Sequence, residues 1–156
     1  MKNLITLCLW FDNQAEEAAR FYTTLFKNSK IESISRYGKE GFEIHGQKEG
    51  TVMTVNFNIN GQSVMALNGG PVFKFNEAMS LQIFCDTQKE IDFYWDKLTE
   101  GGEEGQCGWL KDKFGISWQV IPSILSELMS NPAKSGRVTE AFLKMKKFDI
   151  EKLKNA

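Results

Sequence analysis

Two stretches of the chain share one pattern: WFDNQAEEAARFY at residues 10–22 and FCDTQKEIDFY at residues 84–94. Each stretch begins with apolar residues, continues with an Asp-x-Gln turn, and then places a Phe-Tyr pair in an amphipathic segment. Self-similarity at a spacing of about half the chain indicates an internal duplication. In each copy the pattern predicts a buried strand followed directly by a helix that packs on a sheet.

The residues around the first stretch predict the element order β, α, β, β, β. The helix is expected to begin at Asn13, whose spacing from Glu16 is that of a capping box. Asn60-Gly61, between two apolar alternating segments, predicts a tight hairpin turn. The predicted strands are residues 4–11, 31–37, 51–59 and 62–68.

The second half repeats this order and ends in a helical tail. Thr87 and Glu90 have capping-box spacing, and Gly101-Gly102 is expected to end the helix that follows. The predicted strands are residues 80–85, 107–111 and 116–121. The sequence therefore predicts one domain over residues 1–156, with module 1 at about 1–76, module 2 at about 78–122 and a helical tail at 123–156.

The composition excludes several classes of protein. The 156 residues are 42% hydrophobic and 25% charged, with a net charge of −1, so neither nucleic acid nor an anionic membrane is an expected partner. Three cysteines without a CxxC pair favour a reducing cytoplasm. We expect neither a signal peptide nor a transmembrane helix.

Five segments carry a resemblance to a known family: CGWLKDKFGISWQVIP (107–122), AEEAARFY (15–22), NGQSVMALNGGP (60–71), EIDFYWDKLTEGG (90–102) and MKKFDIEKL (145–153). Together they resemble the PhnB-like branch of the vicinal oxygen chelate superfamily, which has the glyoxalase, bleomycin-resistance and extradiol-dioxygenase fold. The resemblance covers essentially the whole chain. It implies an α+β fold, in which two duplicated βαβββ modules form a curved mixed sheet with a cleft, plus C-terminal helices. It also implies a homodimer.

Members of this branch often carry the label of a demethylubiquinone methyltransferase. An enzyme of the usual methyltransferase class needs a Gly-rich turn between a strand and a helix to approach S-adenosylmethionine closely. The chain contains no GxGxG, and its two Gly-Gly pairs, at 69–70 and 101–102, are explained as a turn and a helix stop. We therefore do not expect methyl transfer.

The resemblance also implies positions for a divalent metal, because enzymes of the superfamily hold one with His, Gln or Glu on the first and last strands of each module. The corresponding residues here are Thr6, Met65 or Ala66, Ser80 and Gln119. Only Gln119 is a usual ligand, and neutral amides and hydroxyls bind such cations poorly. We predict no cofactor. A divalent metal held partly by Asn68, Gln82 or Asn56, or by a second chain, is the alternative.

The predicted ligand-binding residues lie on strands that would turn their side chains toward a cleft. Gln119 should point to the opposite face from Trp118, which we place under a helix. The single histidine, His45, lies in a polar loop and is expected to be solvated, and no catalytic residue is assigned. The candidate ligand-binding residues are Thr6, Cys8, Trp10, Arg36, Asn68, Ser80, Gln82, Trp109 and Gln119.

Three functions are compatible with these residues. The first is binding of a small molecule, such as a hydrophobic metabolite or antibiotic, in an aromatic-lined cleft without the usual metal. The second is a metal-dependent isomerase, lyase or dioxygenase whose ligands are unusual or come from a second chain. The third is an interaction module that uses the C-terminal helices.

Overall fold

The structure, a computed structural model, describes residues 5–156, so Leu4 of the first predicted strand lies outside the described residues. The chain divides into two compact units with the boundary between Lys74 and Phe75. Each unit contains a four-stranded mixed sheet, and a long helix packs on one face of that sheet. The predicted α+β class with two βαβββ modules is confirmed. No helix within residues 5–156 is long and apolar enough to cross a membrane.

The first unit contains one helix between its first two strands and a hairpin at its end. The sheet order is β1-β4-β3-β2, with β1 parallel to β4 and the other pairs antiparallel. Asn60 and Gly61 both have positive φ, at 46° and 90°, as a two-residue hairpin turn requires. The elements are β1 (Leu7–Phe11), α1 (Ala15–Leu25), β2 (Lys30–Arg36), α2 (Phe42–His45), β3 (Val52–Ile59) and β4 (Gln62–Asn68).

The core of the first unit lies between α1 and one face of its sheet. Alternate residues of β1, β3 and β4 are buried on this face, including Leu9, Val55 and Phe57. The helix contributes small side chains such as Ala18 and Ala19, which let it approach the sheet closely, as its apolar stripe predicts. The opposite face of a sheet, turned away from its helix, is called the distal face below.

The predicted capping box of α1 is wrong. Neither Asn13 nor Glu16 caps the helix, which begins at Ala15 without a cap from the preceding side chain. The cap instead comes from Asn68 at the end of β4, whose Oδ1 accepts a hydrogen bond from Ala15 N at 2.8 Å. Its Nδ2 donates to Val52 O at 3.0 Å. A residue more than fifty positions away therefore replaces the local cap, which a spacing rule cannot detect.

The second unit repeats the order and adds three short helices. Its sheet order is β5-β8-β7-β6, with β5 parallel to β8. The two-residue strand β6 was not predicted because it is too short to show a periodic pattern. The elements are β5 (Leu81–Cys85), α3 (Gln88–Thr99), β6 (Glu103–Glu104), β7 (Trp109–Lys111), β8 (Ser117–Pro122), α4 (Leu125–Ser130), α5 (Ser135–Phe142) and α6 (Ile150–Lys154).

The capping box predicted for α3 is confirmed. Thr87 Oγ1 accepts a hydrogen bond from Glu90 N at 3.2 Å, and Glu90 Oε2 accepts one from Thr87 N at 3.1 Å. This reciprocal pair satisfies two backbone donors at the start of the helix. The two modules therefore begin their helices with different chemistry, although their sequences are similar.

A buried carboxylate organises the hairpin between β7 and β8. Asp112 is only 3% exposed, and its Oδ1 accepts hydrogen bonds from Phe114 N at 2.9 Å and Ile116 N at 3.0 Å. Its Oδ2 accepts a third from Trp118 Nε1 at 2.8 Å. Trp118 is buried on the α3 side, as predicted, so the next residue, Gln119, lies on the distal face.

The helical tail is an integral part of the second unit. Gly108 N donates to Lys146 O at 2.7 Å, and Ile150 N donates to Gln88 Oε1 at 2.9 Å. Gly108 has a φ of +80°, and a Cβ there would lie 2.5 Å from the Phe148 ring. Only glycine fits at this point of close approach.

We predict that Asn68→Ala destabilises the protein by about 1–2 kcal/mol, because it removes the cap of α1. The matched control is Asn13→Ala, since the exposed Asn13 occupies the cap position that the sequence suggested. Urea unfolding followed by circular dichroism measures both. Equal losses in the two variants, or a larger loss in Asn13→Ala, would contradict the observed cap.

We predict that Asp112→Asn lowers the free energy of unfolding by about 1–3 kcal/mol. The single oxygen of an asparagine amide can accept from the two backbone donors only if the NH₂ group turns toward the indole N–H of Trp118. Two N–H donors cannot bond to each other, so the hydrogen bond to Trp118 is lost. The exposed Asp12→Asn is the control and should change stability by less than about 0.5 kcal/mol. The same urea experiment applies, and an Asp112→Asn protein as stable as the control would refute this account of the hairpin.

Candidate ligand-binding site

Four of the predicted ligand-binding residues meet on the distal face of the second sheet. The strand register places Gln82, Gln119 and Trp109 in one row across β5, β8 and β7. Gln119 Nε2 donates to Ser80 Oγ at 2.7 Å, and Gln82 Nε2 donates to Gln119 Oε1 at 3.4 Å. We call Ser80, Gln82, Trp109 and Gln119 the Gln119 cluster.

The Gln119 cluster is polar, uncharged and next to apolar side chains. Phe84 and Ile121 occupy the neighbouring row of the same face, and Phe84 is 65% exposed. A primary amide has two donor hydrogens and an oxygen with two lone pairs, so Gln82 and Gln119 keep hydrogen-bonding capacity after their mutual contact. The surface can therefore contact both apolar and polar parts of a small molecule.

The distal face of the first sheet carries Cys8 and Trp10 on β1. The indole of Trp10 is held from two sides, since its Nε1 donates to Gly70 O at 2.9 Å and its ring meets Phe73 edge to face at 5.0 Å. A Cβ at Gly69 would lie 2.1 Å from the Trp10 ring, so a larger residue at 69 would displace it. Trp10 is thus a fixed aromatic surface.

A polar strip lies on β2 and β3 on the same face as Trp10, and of its residues only Asn56 was considered in the sequence analysis. Ser35 and Thr54 share a hydrogen bond of 2.6 Å between their hydroxyls, and Asn56 Nδ2 donates to Ser33 Oγ at 3.0 Å. Thr54 and Asn56 alternate with the buried Val55 and Phe57 along β3, and that alternation is the signal from which the strip could have been predicted.

Three predicted site residues lie apart from these groups. Thr6 is exposed and precedes β1, and Arg36 is exposed at the end of β2, where its Nη1 donates to Gly50 O at 2.9 Å. Asn68 is buried on the α1 side and caps that helix. Contact of these three with a ligand stays a prediction, and for Asn68 the structure gives a structural role.

His45 is held by its own loop instead of being freely solvated. Its Nδ1 accepts a hydrogen bond from Gln47 N at 3.0 Å, so Nε2 carries the proton and donates to Glu40 O at 3.1 Å. The ring lies 4.6 Å from that of Tyr37. With both nitrogens engaged by backbone, this histidine has a local structural role.

Two thiols have a raised pKa. Partial burial of its sulfur raises the pKa of the Cys8 thiol. Burial, together with the negative charges of Glu90 and Asp86, raises the pKa of Cys85 to about 12. Both thiols are therefore protonated at neutral pH.

The side chains at the superfamily's metal positions do not fit a divalent cation. Ala66 is buried against α1, which leaves the thioether of Met65 on the distal face. Ser80 and Gln119 supply neutral oxygens, whereas such cations prefer carboxylates and imidazoles. Within residues 5–156 there is no group of three His, Cys, Asp or Glu side chains that could hold a metal ion.

A larger pocket, of about 480 Å³, lies away from all the predicted residues, between the start of α3 and the tail. Its three lysines are already paired with carboxylates. Lys147 contacts Asp92 at 3.0 Å, and Lys152 contacts Asp149 at 3.2 Å. The pocket contains no cluster of unpaired groups that would select a ligand, so the distal faces are the better candidates.

Comparison with known proteins agrees with this fold. The family described as 3-demethylubiquinone-9 3-methyltransferase matches residues 3–121. The PhnB protein of Bacillus cereus is 41% identical over 77% of this chain and 99% of its own, with a TM-score of 0.68. No curated protein matches significantly.

Two more distant structures share the fold alone. The protein PA1353 of Pseudomonas aeruginosa is 18% identical, with a TM-score of 0.59, over 78% of this chain and 98% of its own. The fosfomycin resistance protein FosX of Listeria monocytogenes, in complex with Mn(II) and sulfate, is 13% identical, with a TM-score of 0.55, over 83% of this chain and 97% of its own. The extent of the family match and the identity to the PhnB protein show that the chain belongs to the PhnB-like family of the vicinal oxygen chelate superfamily.

Proposed function

We propose that this protein binds a small organic molecule on the distal face of its second sheet and does so without a resident metal ion. The observation that carries the proposal is the Gln119 cluster, where residues from three strands bring two amides, a hydroxyl and an indole together. Ligand sites in proteins combine apolar and aromatic surface with a few polar groups that fix orientation. The cluster and its neighbours Phe84 and Ile121 have this composition.

The distal face of the first sheet supports the same function. Trp10 is held in one orientation by Gly70 and Phe73, so a ligand that packs on it loses little side-chain freedom of the protein. The hydroxyls of Thr54 and Ser35 lie on β3 and β2 in the same row, separated from Trp10 by Leu67 on β4, and can bond to polar groups of a ligand. This face therefore offers an aromatic contact at one edge and polar contacts at the other.

Methyl transfer is not the proposed activity, although the family's description names it. Binding of S-adenosylmethionine in the usual class requires a doubly wound parallel sheet with a Gly-rich turn at the end of its first strand. In this chain each sheet contains a single parallel pair, and Asp12-Asn13 and Asp86-Thr87 follow β1 and β5. The support for binding thus comes from the site, and the family name does not add to it.

The main rival is a metal-dependent enzyme in which a second chain of a homodimer completes the metal site. The Mn(II) seen with FosX belongs to that protein, and at 13% identity the likeness concerns the fold. In this chain the donors at the corresponding positions are neutral, which favours a metal-free site. A metal titration separates the two.

We predict that Mn(II), Fe(II), Ni(II) or Zn(II), added to chelator-treated protein under anaerobic conditions, leaves the melting temperature unchanged. A protein with a native metal site is stabilised by the free energy of binding, which appears as a higher Tm. A rise of several degrees that is lost in Gln119→Ala but kept in Gln106→Ala would establish the rival. Gln106 is exposed and lies outside the cluster, so its variant controls for adventitious binding to amides.

We predict that neutral aromatic amides, with 2-naphthamide as the first probe, bind and change the tryptophan fluorescence. Loss of one hydrogen bond in Gln119→Ala should weaken binding by about 2- to 10-fold. Trp109→Ala should weaken it further through the loss of aromatic surface, while Gln106→Ala should bind like the wild type. Binding that none of these variants alters, or an absence of binding across a panel of such amides and ketones, would refute the proposed site.

A further inference from the structure

A small pocket next to the Gln119 cluster contains a buried hydroxyl that has no hydrogen-bond partner. Ser117 is 2% exposed, and its Oγ is the only buried side-chain N or O atom in residues 5–156 without a partner. It lies two residues before Gln119 on β8, so both side chains point to the distal face. The pocket has a volume of about 100 Å³, and Ser117, Trp109, Lys111 and Glu77 line it.

Buried polar groups in native structures are nearly always satisfied, and an exception points to a water or a ligand that completes the site. A volume of about 100 Å³ exceeds what one water needs and admits a group of a few non-hydrogen atoms. The pocket is therefore large enough for one end of a small organic molecule.

Trp109 lines the same pocket, and its indole N–H is open to solvent. Three of the four indoles donate within the protein: Trp10 to Gly70 O, Trp95 to Glu104 Oε1 and Trp118 to Asp112 Oδ2. Among the residues that the structure describes, the indole N–H of Trp109 has no protein acceptor, so it can donate to a ligand. The hydroxyl of Ser117 and this N–H together favour a group that accepts hydrogen bonds.

The charges around the pocket select against an anion. Lys111 is the only cationic side chain that lines it, and its ammonium forms an ion pair with Glu77. This pair lowers the pKa of Glu77 and raises the pKa of Lys111, so both stay charged and neutralise each other at neutral pH. Glu103 and Glu104 also line the pocket, and since Lys146 pairs with Glu104 at 3.3 Å, the carboxylate of Glu103 leaves the net charge around the pocket negative. A carboxylate, phosphate or sulfate would be repelled.

We propose that the Ser117 pocket is a subsite for an uncharged hydrogen-bond acceptor, the carbonyl oxygen of an amide or ketone, at one end of the ligand. The remainder of the ligand lies along the Gln119 cluster. The inference rests on the proposed function and adds the group that is recognised and the charge that is excluded.

The test compares acetamide with acetate, which have nearly the same shape and differ in charge. Nitrogen–proton NMR spectra of the full-length protein at neutral pH and constant ionic strength report on the Trp109 indole N–H and the Ser117 amide. Acetamide is expected to shift both signals in a saturable way at millimolar concentration. Acetate at the same concentration is expected to leave both signals in place.

Variants connect the shifts to the two donors. Ser117→Ala and Trp109→Phe each remove one donor and should weaken acetamide binding by about 2- to 10-fold. Ser126→Ala, at an exposed serine of α4, is the matched control and should bind acetamide like the wild type. Because Lys146 pairs with Glu104, Glu77→Gln combined with Glu103→Gln leaves the charge of Lys111 uncompensated and should allow acetate to bind.

Stability of the Ser117→Ala protein gives a readout that does not depend on a ligand. Removal of a hydroxyl without a partner should leave the melting temperature unchanged or raise it. A fall of several degrees would show that the hydroxyl has a structural partner and would overturn the proposal. Equal shifts by acetate and acetamide would also overturn it, and so would the absence of any shift, which would mean that water alone fills the pocket.

The outcomes separate this inference from the function on which it rests. If 2-naphthamide binds in a way that depends on Gln119 but leaves the Trp109 and Ser117 signals unchanged, only the subsite is refuted. If no neutral amide or ketone binds anywhere on the protein, the proposed function fails as well.

Discussion

The carboxylate of Asp112 holds the second sheet in the register on which its distal face depends. A carboxylate buried to this degree must be surrounded by donors, because an unpaired charge in the interior would cost several kcal/mol, on the order of an entire domain's stability. Its three donors come from the turn and from Trp118, so the hairpin of β7 and β8 closes in one way. Trp109 is thereby placed opposite Gln119, and β8 in turn places Gln119 opposite Gln82.

In the first unit, the side chain of Asn68 fixes the sheet and the helix to each other, as Asp112 fixes the hairpin of the second unit. Its last strand runs parallel to its first, and at that junction Asn68 caps α1 and also binds Val52 on the neighbouring strand. In the second unit the helix has its own capping box at Thr87, and Pro122, which cannot donate a hydrogen bond, stands in the corresponding place beside Cys85. The duplicated halves have thus kept the topology while the interactions that fix it have diverged.

This divergence bears on the chemistry of the protein. The strand positions where the resemblance implies a metal carry hydroxyl, thioether and amide groups in this chain. Such groups bind neutral polar molecules well and hard cations poorly. Lys111 and Glu77, which line the pocket next to the Gln119 cluster, neutralise each other. Both features favour recognition of an uncharged ligand.

Most of the fold could be predicted from the sequence because its signals are local. The apolar strand runs, the Asn60-Gly61 turn, the Thr87 cap and the turn at Asp112 each depend on residues close together in the chain. The elements that were missed, α2 and β6, contain four and two residues and are too short for a periodic signal. The cap of α1 was misassigned because its acceptor, Asn68, lies on a distant strand.

The candidate site likewise has features that the sequence determined and features that only the tertiary structure decided. Alternation along β8 determined that Trp118 is buried and that Gln119 lies on the other face, because successive side chains of a strand point to opposite sides. Only the tertiary structure decided which partners meet there. Strand pairing brings Ser80 and Gln82 to Gln119, leaves Thr6 and Arg36 exposed, and turns Asn68 inward. The sequence alone determined which residues line each face of a strand, whereas register between strands, a long-range property, decided which of them form a site.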